Sequence, residues 1–359
     1  MTSTTQTANR ALWLSSYDEP LSIKELPIPE ATTGTIVVRI LAAPIVPYAY
    51  LAHTGKLAAF RLPLPYVPNP NAVGRVHAVG PDSVRLQPGD LVYVDATVRA
   101  RDDPNVWRDG SLQQFQKLPL ENAYPLNEHW LLRELGYPAP LLQAIAYYSV
   151  AAGAVMEAAD VRAGETVVVG PSGGTFGGLA VEVALALGAS VVALGRSEAK
   201  LSAMRDTLAA GDRFKYVVMT GDDGADAQAI IKATPDGAGA DVYNDWSPAE
   251  LAGPPYLAAA AQTLRRNGRV VLSGGTHGNL TIPYDLAMLK DLKIVGKWMC
   301  APATLHRLIR MIERGALRIG EESGSRLKVF SLEEHHEAVE YARVNGGWRS
   351  YTAIAPNEA

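Results

Sequence analysis

Hydrophobic and polar residues follow one another along this chain in two rhythms, and the change between them divides the sequence. From Ala11 to about Leu120 the apolar residues come in short β-type runs broken by Pro and Gly, clearest in TIVVRILAAPIV, AVGRVHAVG and DLVYVDATV. This predicts a β-rich, barrel-like domain. Gln87-Pro-Gly-Asp90 ahead of LVYV is a turn feeding a strand, with Pro and Gly in their usual turn roles. The polar stretch over 99–111 is expected to be a loop suited to rim a cleft. From about Leu141 the period becomes helical, with LLQAIAYYSVAAGAVMEAA leading into Gly164-Glu165. Strands and helices then alternate: a strand at Val167–Gly170, a helix from Gly178, SVVALGR, a helix over 198–210, KYVVM, a helix over 225–233, DVYNDW, a helix over 255–265, RVVLSGG and LKIVGKWM. Such alternation predicts a parallel, doubly wound sheet. A last helix, APATLHRLIRMIERGAL, and the tail to Ala359 are expected to return to the first domain. The expected division is therefore 1–142 completed by 304–359, with 143–303 as the second domain.

Length agrees with two domains, because 359 residues exceed one ordinary core. A net charge of −4, with no cluster of Lys and Arg along the chain, provides no basic field for nucleic acid. The first ten residues, MTSTTQTANR, lack the apolar core of a signal peptide, and no apolar run is expected to cross a membrane. The expectation is a cytoplasmic protein whose partner is a small molecule. Cys300 is the one cysteine, which excludes disulfides within the chain and any cysteine-built structural zinc site. It follows an apolar strand and reads as a buried small residue.

The strand Val167–Gly170 runs into a glycine-rich turn and then an apolar helix. Laid on the pattern G-x-G-x-x-G, the turn reads Ser172-Gly173-Gly174-Thr175-Phe176-Gly177, with serine where the first glycine usually stands. Glycines let the backbone approach a pyrophosphate, and the helix start offers free N–H groups at a positive dipole end. Gly178 to Leu187 are apolar around most of the helix surface, as suits a helix covering a parallel sheet, and Gly188 closes it. At the end of the second strand an NAD-binding chain usually places an acid for the ribose hydroxyls. Here the sequence is Ala193-Leu194-Gly195-Arg196-Ser197, with no acid before Glu198. Gly195 removes repulsion, Arg196 offers a planar charged fork, Ser197 a hydroxyl, and Lys200 a second cation one helical turn on. The expected cofactor is NADP(H).

These features together resemble the medium-chain dehydrogenases/reductases, in their zinc-independent branch of quinone and enone double-bond reductases. The resemblance rests on AVGRVHAVG followed by QPGDLVYV, on AIAYYSVAA, on GGTFGGLAVEVALALGA and on GRVVLSGGTHGNLTIPYDLAMLKDLKIVGKWM. It implies an α/β protein with an N-terminal GroES-like β-barrel as catalytic domain and a Rossmann domain binding NADP(H), assembled as a homodimer. Zinc-dependent members carry Gly-His-Glu where this chain has Asn69-Pro70-Asn71, and a catalytic cysteine near Ile45-Val46-Pro47. None of those residues ligates zinc, and the seven histidines show no ligand spacing, so no metal is expected. Carbonyl polarisation then falls to hydrogen-bond donors or to the cofactor ribose. That suits hydride transfer to the double bond of an α,β-unsaturated carbonyl, with a ketone, alcohol or quinone activity as the close variant. A reading of another class is a nucleotide-binding or partner-dependent protein acting with a larger biosynthetic enzyme. By resemblance Pro47-Tyr48 marks the catalytic segment, with Tyr48 as phenolic donor and Tyr50 or His53 as proton relay, close in sequence to Lys56 and Tyr66. Tyr66, Trp107, Trp246 and Trp298 are candidates to wall the substrate pocket. Asn244, Gly274, Gly275 and Thr276 sit at strand ends that border the nicotinamide in the family.

Overall fold

The computed structural model describes residues 8–57, 62–95 and 110–357. They form two compact units, one of residues 1–146, 319–346 and 350–359, the other of 147–318 and 347–349. In the first unit β1 (Asn9–Trp13) and β2 (Ser22–Leu26) make a two-stranded antiparallel ribbon. Strand β3 (Thr35–Pro44) is followed by a short helix α1 (Ala49–His53), then by β4 (Asn71–Val79), β5 (Leu91–Asp95), β6 (Phe115–Pro119) and β7 (Ala123–Pro125). β3 pairs antiparallel with both β4 and β6, and β4 continues to β5 and β7. Ile36, Val38 and Ile40 of β3 and Val92 and Val94 of β5 are buried in one core, which fixes their register because a one-residue slip would turn them outward.

A helix runs over Ala139–Ala158, with its middle, α2, at Ile145–Ala152. By length and composition alone it could cross a membrane, but 83% of its most apolar window is buried inside the protein, as a core helix would be. The second unit then alternates β8 (Thr166–Gly170), α3 (Thr175–Ala186), β9 (Ser190–Gly195), α4 (Glu198–Leu208), β10 (Phe214–Val218), α5 (Asp223–Ala233), β11 (Ala240–Asp245), α6 (Leu257–Gln262), β12 (Leu264–Leu272), α7 (Tyr284–Leu289) and β13 (Lys293–Gly296). All six strands are parallel, in the order β10-β9-β8-β11-β12-β13. This is the doubly wound arrangement, with the order reversing beside β8, where such sheets bind ligands.

Local chemistry sets the element ends. Gly188 closes α3 at φ 89°, a conformation that favours glycine. Helix α5 starts at Asp223, earlier than the periodicity suggests, because the Asp222 carboxylate caps the Ala225 N–H at 2.8 Å. Helix α6 is shorter than the expected 255–265: Leu264 already pairs with Ala240 as the start of β12. Edge strand β13 leaves Ile294 and Val295 exposed.

Helix α8 (Pro302–Glu313) buries Leu305, Leu308, Ile309 and Ile312. Residues 304–318 group with the second unit, which corrects their expected return to the first. The first unit resumes with β14 (Arg326–Phe330), α9 (His335–Asn345) and β15 (Ser350–Ile354), which extend its sheet to the order β14-β15-β3-β4-β5-β7. Gly347–Arg349 belong to the second unit.

Candidate active site

Strand β8 is wholly buried and delivers the chain to the glycine turn at the carboxyl edge of the parallel sheet. The serine at the first glycine position is fully buried: its Oγ donates to the Val169 carbonyl at 2.7 Å and its N–H to Leu194 at 2.8 Å. Ser172 therefore braces the turn from within. A methyl at Gly177 would lie 2.0 Å from the Pro171 carbonyl oxygen, so helix and turn meet too closely for any side chain there. Gly174 is the N-cap of α3, no side chain caps the helix, and a methyl on Gly174 would meet nothing within 4 Å. The turn thus presents an open face and an uncapped helix start, which is what a pyrophosphate requires. Phe176 turns elsewhere, stacking on Trp246 at 5.9 Å and 20°, with Tyr147 at 6.0 Å from its ring.

At the end of β9, Gly195 is buried against Leu201, and Arg196 is exposed. The Ser197 hydroxyl caps α4 by accepting the Lys200 N–H at 3.4 Å, which leaves its proton available to a ligand. The Lys200 side chain turns toward the glycine turn, its Cδ 3.7 Å from where a methyl on Gly173 would be. Glu198, the first acid after the strand, accepts the Tyr216 hydroxyl at 2.5 Å. Tyr256 lies beside Gly170; burial raises its pKa and the charge of Arg196 pulls the other way. Among the described residues neither Arg196 nor Lys200 forms a salt bridge. Two cations outside any salt bridge at this strand end favour an anionic ligand.

The neighbouring strand ends are held by internal hydrogen bonds. The buried Asn244 amide donates to Val271 at 3.1 Å and accepts from Trp246 Nε1 at 2.8 Å, so its polar atoms hold β11 to β12 and fix the indole. Thr276 Oγ1 donates to Leu251 at 2.6 Å and accepts from the Gly253 N–H at 3.0 Å. Gly274 abuts the Ser247 backbone, where a methyl would meet the carbonyl oxygen at 2.4 Å, and Gly275 donates its N–H to the same carbonyl at 2.8 Å. Asp245 is buried and accepts the hydroxyls of Ser247 at 2.7 Å and Tyr243 at 3.1 Å. Burial raises its carboxyl above the usual range, against hydrogen bonds from Ser247 and Tyr243 that lower it. Trp298 is 55% exposed just after β13, and Trp107 lies outside the described residues.

In the first unit Tyr48 stands at the start of α1, half-buried, and desolvation pushes its pKa up to about 12. It keeps its proton at neutral pH and can donate. His53, at the other end of α1, is pushed down to about 4 by burial and then by the charges of His335 and His336, whose rings lie 4.0 Å apart. It is a neutral imidazole at pH 7. Tyr50 is half-buried between them, and Lys56 is exposed. Tyr66 is 5% exposed and packs in the core, its pKa raised by burial and by Tyr17.

The positions where relatives of this architecture hold zinc are committed otherwise. Asn69 sits at φ 73° with its amide on the Pro44 carbonyl at 2.9 Å. The Asn71 side-chain amide donates to Tyr93 Oη at 3.0 Å and Asp95 Oδ1 at 3.1 Å, and the Asn71 backbone carbonyl accepts the Ser111 hydroxyl at 2.7 Å. With proline at 70 and amides already bonded at 69 and 71, these residues do not fit a zinc ion. Among the described residues no three His, Cys, Asp or Glu side chains are grouped to hold a metal. Sequence reasoning missed a buried ion pair, Glu182 with Arg349 at 2.7 Å. Its signal was a lone acid inside an apolar helix.

A first unit built on a mainly antiparallel sheet and a second unit carrying a glycine turn on a parallel sheet define a nicotinamide-dependent oxidoreductase. Two family models match in the same order: "Alcohol dehydrogenase GroES-like domain" over 32–128 and "Zinc-binding dehydrogenase" over 176–314. The chain belongs to the medium-chain dehydrogenase/reductase superfamily, with a GroES-like domain followed by a Rossmann sheet. It is 24% identical to an alcohol dehydrogenase of Geobacillus stearothermophilus over 86% of this chain and 90% of that protein. It is 29% identical to a 2-methylene-furan-3-one reductase of Solanum lycopersicum over 50% of this chain and 44% of that protein. Among solved structures AibC superposes with a TM-score of 0.81 at 23% identity, covering 98% of this chain and 97% of AibC, which is a likeness of fold.

Proposed function

We propose that this protein is an NADP(H)-dependent reductase of α,β-unsaturated carbonyl compounds that works without a catalytic zinc. The observation that carries the cofactor reading is the end of β9: Gly195 followed by exposed Arg196 and Lys200, with no acid before Glu198, whose Oε1 accepts the Tyr216 hydroxyl. Arg196 and Lys200 would hold the 2′-phosphate, Ser197 would donate its hydroxyl to it, and the N–H groups at the start of α3 would hold the pyrophosphate. The bound nicotinamide supplies the hydride. Tyr48, kept protonated by burial, donates to the substrate carbonyl oxygen, where negative charge collects as the β-carbon accepts hydride. For such a substrate one or two donors suffice where a simple ketone calls for a stronger electrophile. Tyr50 and neutral His53 relay the proton that the α-carbon takes up.

The double-bond reading is supported by the bonded amides at Asn69 and Asn71 and by the reductase from Solanum lycopersicum among the relatives. The alcohol dehydrogenase of Geobacillus stearothermophilus, similar along most of its length, keeps ketone reduction as the close variant. The exposed apolar edge of β13 supports a homodimer formed through that strand. The test is oxidation of NADPH and of NADH across enones, quinones and ketones, with and without a chelator. Turnover of NADPH with enones, unaffected by chelation, is expected. Loss of activity to the chelator, or turnover confined to simple ketones, refutes the reading.

A further inference from the structure

The glycine turn has little side-chain substance to hold its outer face, and a distant piece of chain covers the helix that follows it. Gly347, Trp348 and Arg349 belong to the second unit, although the residues on both sides of them group with the first. Trp348 lies on the first turns of α3, where a methyl at Gly178 would come within 2.3 Å of its ring. The Gly347 carbonyl accepts the Thr175 hydroxyl at 3.1 Å, at the first residue of the helix.

Two turns further along α3 stands Glu182, 4% exposed within an otherwise apolar helix. Its Oε1 accepts from Trp348 Nε1 at 2.6 Å and from Arg349 Nε at 2.9 Å. Its Oε2 accepts from Arg349 Nη2 at 2.7 Å and from the Tyr148 hydroxyl at 2.9 Å. Arg349 is itself 6% exposed and adopts φ 55°, a backbone conformation that bulky residues rarely take. The net stability from such a pair is small, because burying two charges offsets much of what their attraction returns. What the ion pair adds is direction: four hydrogen bonds converge on one carboxylate and permit a single placement of Trp348 and Gly347.

We infer that Gly347-Trp348-Arg349 is a clasp that sets the first turn of α3, and that Glu182, Trp348 and Arg349 are positioning residues for the dinucleotide pyrophosphate. Glu182 is seven residues from Thr175, so it acts from about 10 Å away at 1.5 Å of rise per residue. The carboxylate fixes Arg349 and Trp348, Trp348 fixes the helix at Gly178, and Gly347 holds Thr175, the first residue of the helix. The inference deepens the reading of that turn as the pyrophosphate site and rests on it.

The test compares NADPH dissociation constants by fluorescence titration with melting temperatures measured without cofactor. In the double variant Glu182→Gln/Arg349→Met, the glutamine oxygen still accepts from Trp348, its NH2 group donates to the Tyr148 hydroxyl oxygen, and no charge is left buried. Its melting temperature is expected to stay near that of the native protein while the NADPH Kd rises about tenfold, the worth of roughly one charge-assisted hydrogen bond. A folded double variant with Kd within about twofold of native overturns the clasp. If the double variant does not fold, Trp348→Phe is read by the same criterion: it keeps a ring over Gly178 and loses one hydrogen bond, and an unchanged Kd there also overturns the clasp. Gly174→Asp separates the two levels. If NADPH binding survives a carboxylate on the open face, the turn is not the pyrophosphate site and both readings fall. If binding is lost there but unchanged in the clasp variants, the clasp alone falls.

Discussion

Replacing Gly177 by alanine probes how closely α3 must approach the end of β8. The added methyl would lie 2.0 Å from the Pro171 carbonyl oxygen and 3.2 Å from Ser172 Cα. An ordinary contact is ~3.5 Å, so the overlap with the oxygen is about 1.5 Å. Neither partner can rotate away, because both are backbone and the next residue is pinned by the Ser172 hydroxyl on Val169. The helix start must therefore move off the sheet, at an overpacking cost of about 2–3 kcal/mol. For a unit of this size that corresponds to a fall in Tm of roughly 4–12 °C, and the displaced N–H groups should weaken NADPH binding at least about tenfold. Thermal melting and NADPH titration read the two effects. Gly174→Ala is the control: its methyl meets nothing within 4 Å, so Tm should hold while NADPH affinity falls, because the methyl occupies the face that phosphates approach. A Gly177→Ala protein with native Tm and native affinity refutes the close-packed account of the turn.

Arg196→Ala should raise the NADPH Kd by about 10–100-fold, the loss of one or two bonds to a charged group, and leave NADH within about twofold; equal losses on both cofactors count against the phosphate role. His53 has its folded pKa near 4, below the ordinary 6.5, so the unfolded chain binds the proton more tightly. Its contribution is full above pH 6.5 and is lost as pH falls through 4, at most about 3 kcal/mol, with His335 adding in the same direction. Urea denaturation from pH 7.5 to 4 should show this loss, and His53→Gln should flatten it; an identical slope in the variant refutes the assignment. Ile294→Glu places a charge on the exposed edge of β13 and should halve the mass seen by light scattering, whereas an unchanged mass places any dimer contact elsewhere.

Most of the second unit was legible because its signals are local. The strand, glycine turn, helix and second strand occupy one continuous stretch, and the charge at the end of β9 is carried by consecutive residues. Errors came where the deciding partner is distant. The shortening of α6 depends on β12 pairing with β11. The internal hydrogen bonds of Asn244 and Thr276, with Val271, Leu251 and Gly253, likewise join residues distant along the chain. The burial of Tyr66 cannot be seen without the core around it.

The amino-acid sequence by itself determined the α/β class, the dinucleotide turn, the basic end of β9 and the absence of zinc-ligand types at the family positions, since residue type and spacing within a few turns suffice for each. Only the tertiary structure decided that Ser172 braces the turn, that Phe176 stacks on Trp246, that His53 is held neutral, and that a three-residue segment near the carboxyl terminus grips Glu182. Each of these depends on atoms brought together by folding, and both desolvation and hydrogen-bond geometry arise from that assembly.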